Sequence, residues 1–378
     1  MLSGPVHLTL LVGPAVPLPV PRFVLDALTS AAVHSTAAPG RQSAFELTFE
    51  VEKNSPLPTL FLLVGGSLPP VLRVVVAVTV GGAQEVLIDG VMTATSLVPG
   101  ADGGPCVFTV RGMDLTALME KVDGTGLPFP AMPAAARVLT VLAKYAALGV
   151  VPVVVPPLVT DVPNPLERIP VQQGTDLAYL RRLANRSGYV FTHIPGPVPG
   201  TSFAYWGPHA KIGVPQPALN IDSDTATNVE SMTFGCDVEA GVQPVVFVQE
   251  PATKAIVPVP IPDISPLNPP LGLRRPAPAK IRYIRETAKL GTAEAVLLGM
   301  AKAATFADVV TARGSLDVVR YGRVLKPRAL VGVRGGGTAF DGLYYVQSVD
   351  HRLERGSFTQ QFSLVRNGLV STLPVVPV

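Results

Sequence analysis

Apolar and polar residues alternate over 45–52. Phe45, Leu47, Phe49 and Val51 fall on one side, and Glu46, Thr48, Glu50 and Glu52 on the other. A strand with one dry face has this pattern, because successive side chains point to opposite faces of a sheet. Residues 74–80 and 85–88 read as two further strands, with Gly81-Gly82 between them as a hairpin turn. Strand character continues at 106–111 and returns beyond 209, at 228–235, 244–249, 309–313, 321–324, 329–334, 342–349 and 360–366. Many short strands between Gly- and Pro-rich turns predict antiparallel sandwiches or barrels.

Between these regions the period lengthens. Thr175 is placed as an N-cap, since its hydroxyl can accept an unpaired N–H of a first turn, and Asp176 sits where the helix dipole favours a carboxylate. Leu177, Leu180 and Ala184 line one face of the predicted helix, and Arg181, Arg182, Asn185 and Arg186 the other. Gly188 ends it, and 189–191 reads as a strand. Asp114 caps a short helix ending near Lys121, and further helices are expected over 134–147 and from Thr292 to about Ala304. Residues 251–282 are proline-rich, the chemistry of an extended, semi-rigid linker.

Composition adds a constraint. The 378 residues are 48% hydrophobic and only 15% charged, too apolar for disorder, and this balance fits a chain that covers much of its surface with partners. The net charge is +3, and Arg181-Arg182 and Arg274-Arg275 are the only close basic pairs, so no nucleic-acid footprint is present. The apolar N-terminus lacks a basic lead and is broken by Pro14, Pro17, Pro19 and Pro21, so no signal peptide is expected. The apolar stretches 60–80 and 146–159 are interrupted by Arg73 and by prolines, so no membrane insertion is expected. Cys106 and Cys236 read as free thiols.

Candidate chemistry is sparse. His7, His34, His193, His209 and His351 offer no metal-ligand spacing, and no G-x-S-x-G elbow nominates a serine. His193 and His209 flank Trp206 and could form a small site, although ordinary loop histidines fit better. Asp222 and Asp224 read as a solvated loop, Asp89-Gly90 as a turn or bulge, and Gly335-Gly336-Gly337 as a hairpin connection. No catalytic residue, metal ligand or cofactor is assigned.

Three separated pieces resemble the baseplate-hub family of contractile injection machines, which includes the phage late-control D proteins, the tailed-phage hub and the N-terminal part of the type VI spike protein. The first is the helix from Asp176 to Gly188 followed by Tyr189-Val190-Phe191. The second is Ile88-Asp89-Gly90-Val91 with 110–119. The third comprises 314–322, 344–351 and 358–368. The resemblance implies a mainly β fold with α+β insertions: two related antiparallel, tube-type β-barrels, at 1–112 and at 209–250 plus 308–369, with a mixed lobe at 113–208, a proline-rich linker and helix insertion at 251–307, and a tail at 370–378. It implies a structural homotrimer, without catalysis, joining a sixfold inner tube to a threefold spike. Its partners would be the spike protein, the inner tube protein and other baseplate proteins. Assembly is expected in the bacterial cytoplasm, into a phage-tail-like particle. Relatives that carry a needle or lysozyme module continue beyond the hub part, so a separate spike polypeptide is expected. The apolar tail residues Leu373, Val375, Val376 and Val378 are candidates for holding it. A tail-associated cell-wall hydrolase and a monomeric β-rich binding module are the alternatives.

Overall fold

The computed structural model describes residues 6–63, 72–101, 104–157, 162–249, 255–262, 265–284 and 292–372. The first alternating region becomes β1 (Val6–Gly13), β2 (Leu18–Pro19), β3 (Leu28–Thr36), β4 (Ala44–Val51), β5 (Arg73–Val80), β6 (Ala83–Val98) and β7 (Cys106–Asp114). Phe45, Leu47, Phe49 and Val51 are buried as the alternation requires. Gly81 and Gly82 both take positive φ, 56° and 85°, which a tight hairpin with native strand twist needs. Helices α1 (Arg22–Ala27) and α2 (Leu57–Leu63) add Val24, Leu57 and Phe61 to the core, where Phe61 meets Phe49 and Phe108.

A mixed lobe follows, built from α3 (Thr116–Lys121), α4 (Ala134–Ala143), β8 (Val150–Val154), α5 (Asp176–Arg186), β9 (Tyr189–Pro195) and β10 (Ser202–Pro208). The helix read from the sequence is α5. The Thr175 side chain accepts from the Ala178 N–H, and Gly188 closes the helix at φ 68°. Leu177, Leu180 and Ala184 are buried against Val138, Val141 and Leu142 of α4 and against Phe191 and Trp206 of the small sheet β8-β10-β9. Asp176 does more than complement a dipole. It is fully buried and accepts from Lys144 Nζ, Tyr145 Oη and Gln172 Nε2.

The remaining strands are β11 (Gln216–Asn220), β12 (Ser231–Cys236), β13 (Val242–Gln249), β14 (Ile256–Pro260), β15 (Gly272–Arg274), β16 (Lys280–Ile284), β17 (Val310–Asp317), β18 (Leu330–Arg334), β19 (Gly342–Glu354), β20 (Ser357–Arg366) and β21 (Leu369–Ser371). Three of them form a separate sheet, β14-β13-β16, and α6 (Thr292–Phe306) covers one face of it. Packing there is close: a Cβ on Gly299 would lie 2.7 Å from Ile261 and 2.8 Å from Val246.

The expected pair of closed barrels is not what forms. Thirteen strands make one open sheet in the order β12-β17-β20-β19-β3-β4-β7-β6-β5-β1-β2, with β18 beside β19 and β11 beside β18. A barrel closes only when its end strands pair with each other. Here β3 spends the edge that would close the first half on β19, from Ser30 opposite Glu354 to Thr36 opposite Ser348. The second half stays open because its end strands, β11 and β12, do not pair with each other. β19 is long enough to serve two partners along one edge: 342–345 pair with β18, and 348–354 with β3, with a register shift between Val346 and Ser348. The sheet therefore ends at β12 and, on the branch through β18, at β11. On the other side it ends at the two-residue, proline-flanked β2, a blunted edge. One apolar core runs under both halves, from Leu10 and Val76 to Val331 and Phe362.

Candidate functional surface

The opposite face of the sheet is wet across the seam. Ser231 and Thr233 of β12 lie beside Arg313 and Ser315 of β17, then Gln361 and Ser363 of β20. Asp350, Arg352 and Glu354 of β19 follow, then His34, Ala32 and Ser30 of β3 and Glu46, Thr48 and Glu50 of β4. Its charges are largely paired. His34 Nδ1 meets Asp350 Oδ1 at 2.5 Å, Arg111 Nε donates to Glu46 at 2.6 Å and Arg352 Nε to Glu354 at 2.7 Å. The hydrogen bond and negative charge of Asp350 raise the His34 pKa above the ordinary histidine value. Exposed aliphatic side chains appear at the border, where Val98 faces Val107.

Beneath the sheet lies a second polar feature. Arg73 and Asp89 form a buried two-pronged pair, Nε–Oδ1 2.7 Å and Nη2–Oδ2 2.6 Å. Arg73 also donates to the carbonyls of Ala15 and Gly200, so one guanidinium ties the N-terminal strands to the β9–β10 turn of the mixed lobe. Asp89, read as part of a turn or bulge, thus lies within β6, close to a register shift of the β5–β6 pairing.

Nearby, a crevice of about 400 Å³ lies where the seam, the 324–328 segment and the 193–197 segment meet. His193 is buried there, and neither ring nitrogen has a hydrogen-bond partner among the described residues. Arg328, held at φ 67°, donates to the Thr36 carbonyl and to Thr192 Oγ1. The crevice serines are engaged with backbone: Ser35 Oγ donates to the Leu87 carbonyl, and Ser43 Oγ accepts from the Thr36 N–H. Burial lowers the pKa of His193, and holds that of His351 down at about 3. Among the described residues of the crevice, no histidine is hydrogen-bonded to a serine, the contact that would activate one.

The histidines flanking Trp206 do not share a site. His193 lies opposite Ala204 in the β9–β10 pairing, whereas His209 stacks edge-on against Tyr345 and meets its hydroxyl at 3.2 Å. His7 is exposed on β1. Asp222 and Asp224 are exposed in a turn, both at positive φ, as the solvated-loop reading expects. Gly335–Gly337 connect β18 to the β19 hairpin, and a Cβ at Gly335 would lie 1.8 Å from the Ile221 carbonyl oxygen. Cys106 and Cys236 are free. Among the described residues no cluster of three or more His, Cys, Asp or Glu could hold a metal ion, and no helix is long and apolar enough to cross a membrane. The tail candidates Leu373, Val375, Val376 and Val378 lie outside the described residues.

No family model and no curated protein sequence matches the chain. Solved structures do. A tail protein of Neisseria meningitidis MC58 aligns over 97% of this chain and 98% of its own, with TM-score 0.61 and 13% identity. The 43 kDa tail protein of prophage MuSo2 from Shewanella oneidensis aligns over 95% and 98%, with TM-score 0.58 and 16% identity. The E. coli c3393 protein is a type VI secretion component described as structurally similar to the T4 tail proteins gp27 and gp5. It aligns over 93% and 78%, with TM-score 0.54 and 11% identity. The chain has the fold of these phage-tail and type VI secretion proteins. Both tail-protein matches are near full length, so the shared fold takes in the mixed lobe and the α6 insertion as well as the large sheet.

Proposed function

We propose that this chain is a structural subunit of the baseplate hub of a phage-tail-like contractile injection system, a trimer that joins a sixfold inner tube to a threefold spike. The observation that carries the reading is the wet face of the large sheet. It crosses the seam between two halves, it is rich in Ser, Thr and Gln, and most of its charges are paired, two of the pairs across strands. A channel wall needs these properties, because passing tube or cargo must slide without finding an apolar patch or an unbalanced field to bind. Two sheet halves per chain supply six wall sections from three chains. Neighbouring chains then meet through heterologous contacts that close by rotation. The low charge content fits extensive burial in such contacts. Force passes through this ring when the sheath contracts, and no substrate is turned over.

The test is a mass and an image. In light scattering at micromolar concentration, the chain is expected at three times its 39.5 kDa mass alone, or at that mass plus the spike's when mixed with its spike protein, and as rings in electron micrographs. A chain that stays single with both spike and tube proteins present is not a hub. Removing residues 373–378 is expected to weaken spike retention on the trimer without changing the trimer mass. Unchanged retention would remove the tail from the interface.

A further inference from the structure

The mixed lobe keeps an apolar core of its own. Among the described residues, Val91 of β6 is the only buried strand residue of the large sheet that belongs to it. Much of what joins lobe to sheet is polar. Arg73 Nη2 donates to the Gly200 carbonyl at 2.9 Å, Arg328 donates to Thr192 Oγ1, and His209 Nε2 meets Tyr345 Oη at 3.2 Å. Two histidines lie in this junction. His193 is 5% exposed with both ring nitrogens unpaired, and the buried Nδ1 of His209 is unpaired as well. A neutral imidazole there leaves hydrogen bonds unmade. An imidazolium would add a buried charge and one more unpaired donor.

The carboxylates nearby are already engaged. The charged groups that face His193 are Arg73 of β5, Asp89 of β6, Asp114 at the end of β7 and Arg328 of the 324–328 segment. Both oxygens of Asp89 hold Arg73, and those of Asp114 accept from the Ser43 N–H and from the N–H and hydroxyl of Thr116. His209 faces Lys211 and Arg328. Lys211 Nζ, 5.9 Å from the centre of the Tyr345 ring, takes both oxygens of Asp308 at 2.6 Å. We infer that this junction is an acid-sensitive hinge, at which proton uptake by His193 and His209 frees the mixed lobe from the large sheet while each keeps its own core. Burial is the largest influence on both histidines and lowers their pKa, that of His209 to about 4. The closed junction binds these protons less readily than the open one. It therefore holds above about pH 6.5 and loosens as pH falls below that value. His351 is the internal control, because it is buried within the sheet seam, where its Nδ1 accepts from Gln360 Nε2.

Diethylpyrocarbonate labelling of the full chain, read at each histidine by mass spectrometry, tests the hinge, since the reagent needs an accessible, neutral imidazole. Rates are taken relative to His7, which is exposed, at each pH. Between pH 7.5 and 5.5 the His193 and His209 ratios are expected to rise by about tenfold for each histidine that stays neutral in the closed form. The His351 ratio is expected to stay level, and so is the emission wavelength of Trp206, the one tryptophan, which is fully buried in the lobe core. H193L takes up no proton and is expected to cut the rise at His209 by about tenfold, and H209Q to do the same at His193, so that either variant serves if the other does not fold. The inference is overturned by level ratios at His193 and His209, by a His351 ratio or a Trp206 emission that moves with them, which would mean that the whole fold opens at once, or by an undiminished rise in a folded variant.

Discussion

Asp89→Asn is expected to remove about 3–5 kcal/mol of stability, the range seen when one partner of a buried ion pair is taken away. The side chains of Arg73 and Asp89 are 2% and 0% exposed, so neither has water to fall back on. An asparagine keeps the shape but leaves the guanidinium charge uncompensated. Arg73 cannot swing out, because its other N–H groups are bonded to the carbonyls of Ala15 and Gly200. The loss is a large share of the 5–15 kcal/mol typical of a domain. It should appear as a lower urea midpoint and as earlier proteolysis of the contact between the N-terminal strands and the mixed lobe. R73M/D89L is expected to cost much less than either single change, because removing both charges leaves no orphan. If the double variant is as unstable as Asp89→Asn, lost shape complementarity and not stranded charge is the source.

Local order was legible where neighbours in sequence decide the structure. Thr175, the Leu177–Ala184 face and Gly188 specify a capped amphipathic helix, and α5 has those ends and that buried face. The same holds for the alternation in β4 and the Gly81-Gly82 hairpin. Strand neighbours were not legible. Alternation says which side of a strand is dry but not which strand lies beside it. The seam pairs His34 with Asp350, 316 residues away, so nothing local marks β3 as the strand that joins the halves instead of closing one. Buried charge was half legible. Arg73 is conspicuous within an apolar run, yet its partner Asp89 was read as part of a turn or bulge because Asp-Gly pairs commonly serve there.

Acidification from pH 7 to pH 5 is expected to cost several kcal/mol, through histidines buried in the neutral form. Burial lowers the pKa of His193, of His209 to about 4 and of His351 to about 3. The unfolded chain binds these protons near pH 6.5, the folded chain only at lower pH. Between those values the unfolded state holds more protons, so stability rises with pH and is lost as pH falls below about 6.5. Each histidine gives up at most about 1.4 kcal/mol per pH unit in that window, so His209 and His351 together reach about 4 kcal/mol at pH 5, and His193 acts in the same direction. His34 acts in the opposite sense. Its raised pKa adds stability that is fully present below about 6.5 and is lost as pH rises through the folded value, but the pair is largely exposed and contributes little. Urea midpoints at pH 7.5, 6.5 and 5.0 measure the net slope. His351→Asn separates the sources, because Asn can still accept from Gln360 Nε2, which donates to His351 Nδ1 at 2.9 Å, yet has no proton to gain. It is expected to reduce by about half the part of the acid slope that His209 and His351 supply. A slope identical to the parent's would mean that His351 is not held neutral by its surroundings, and a flat parent profile would remove the buried histidines from the stability of the fold.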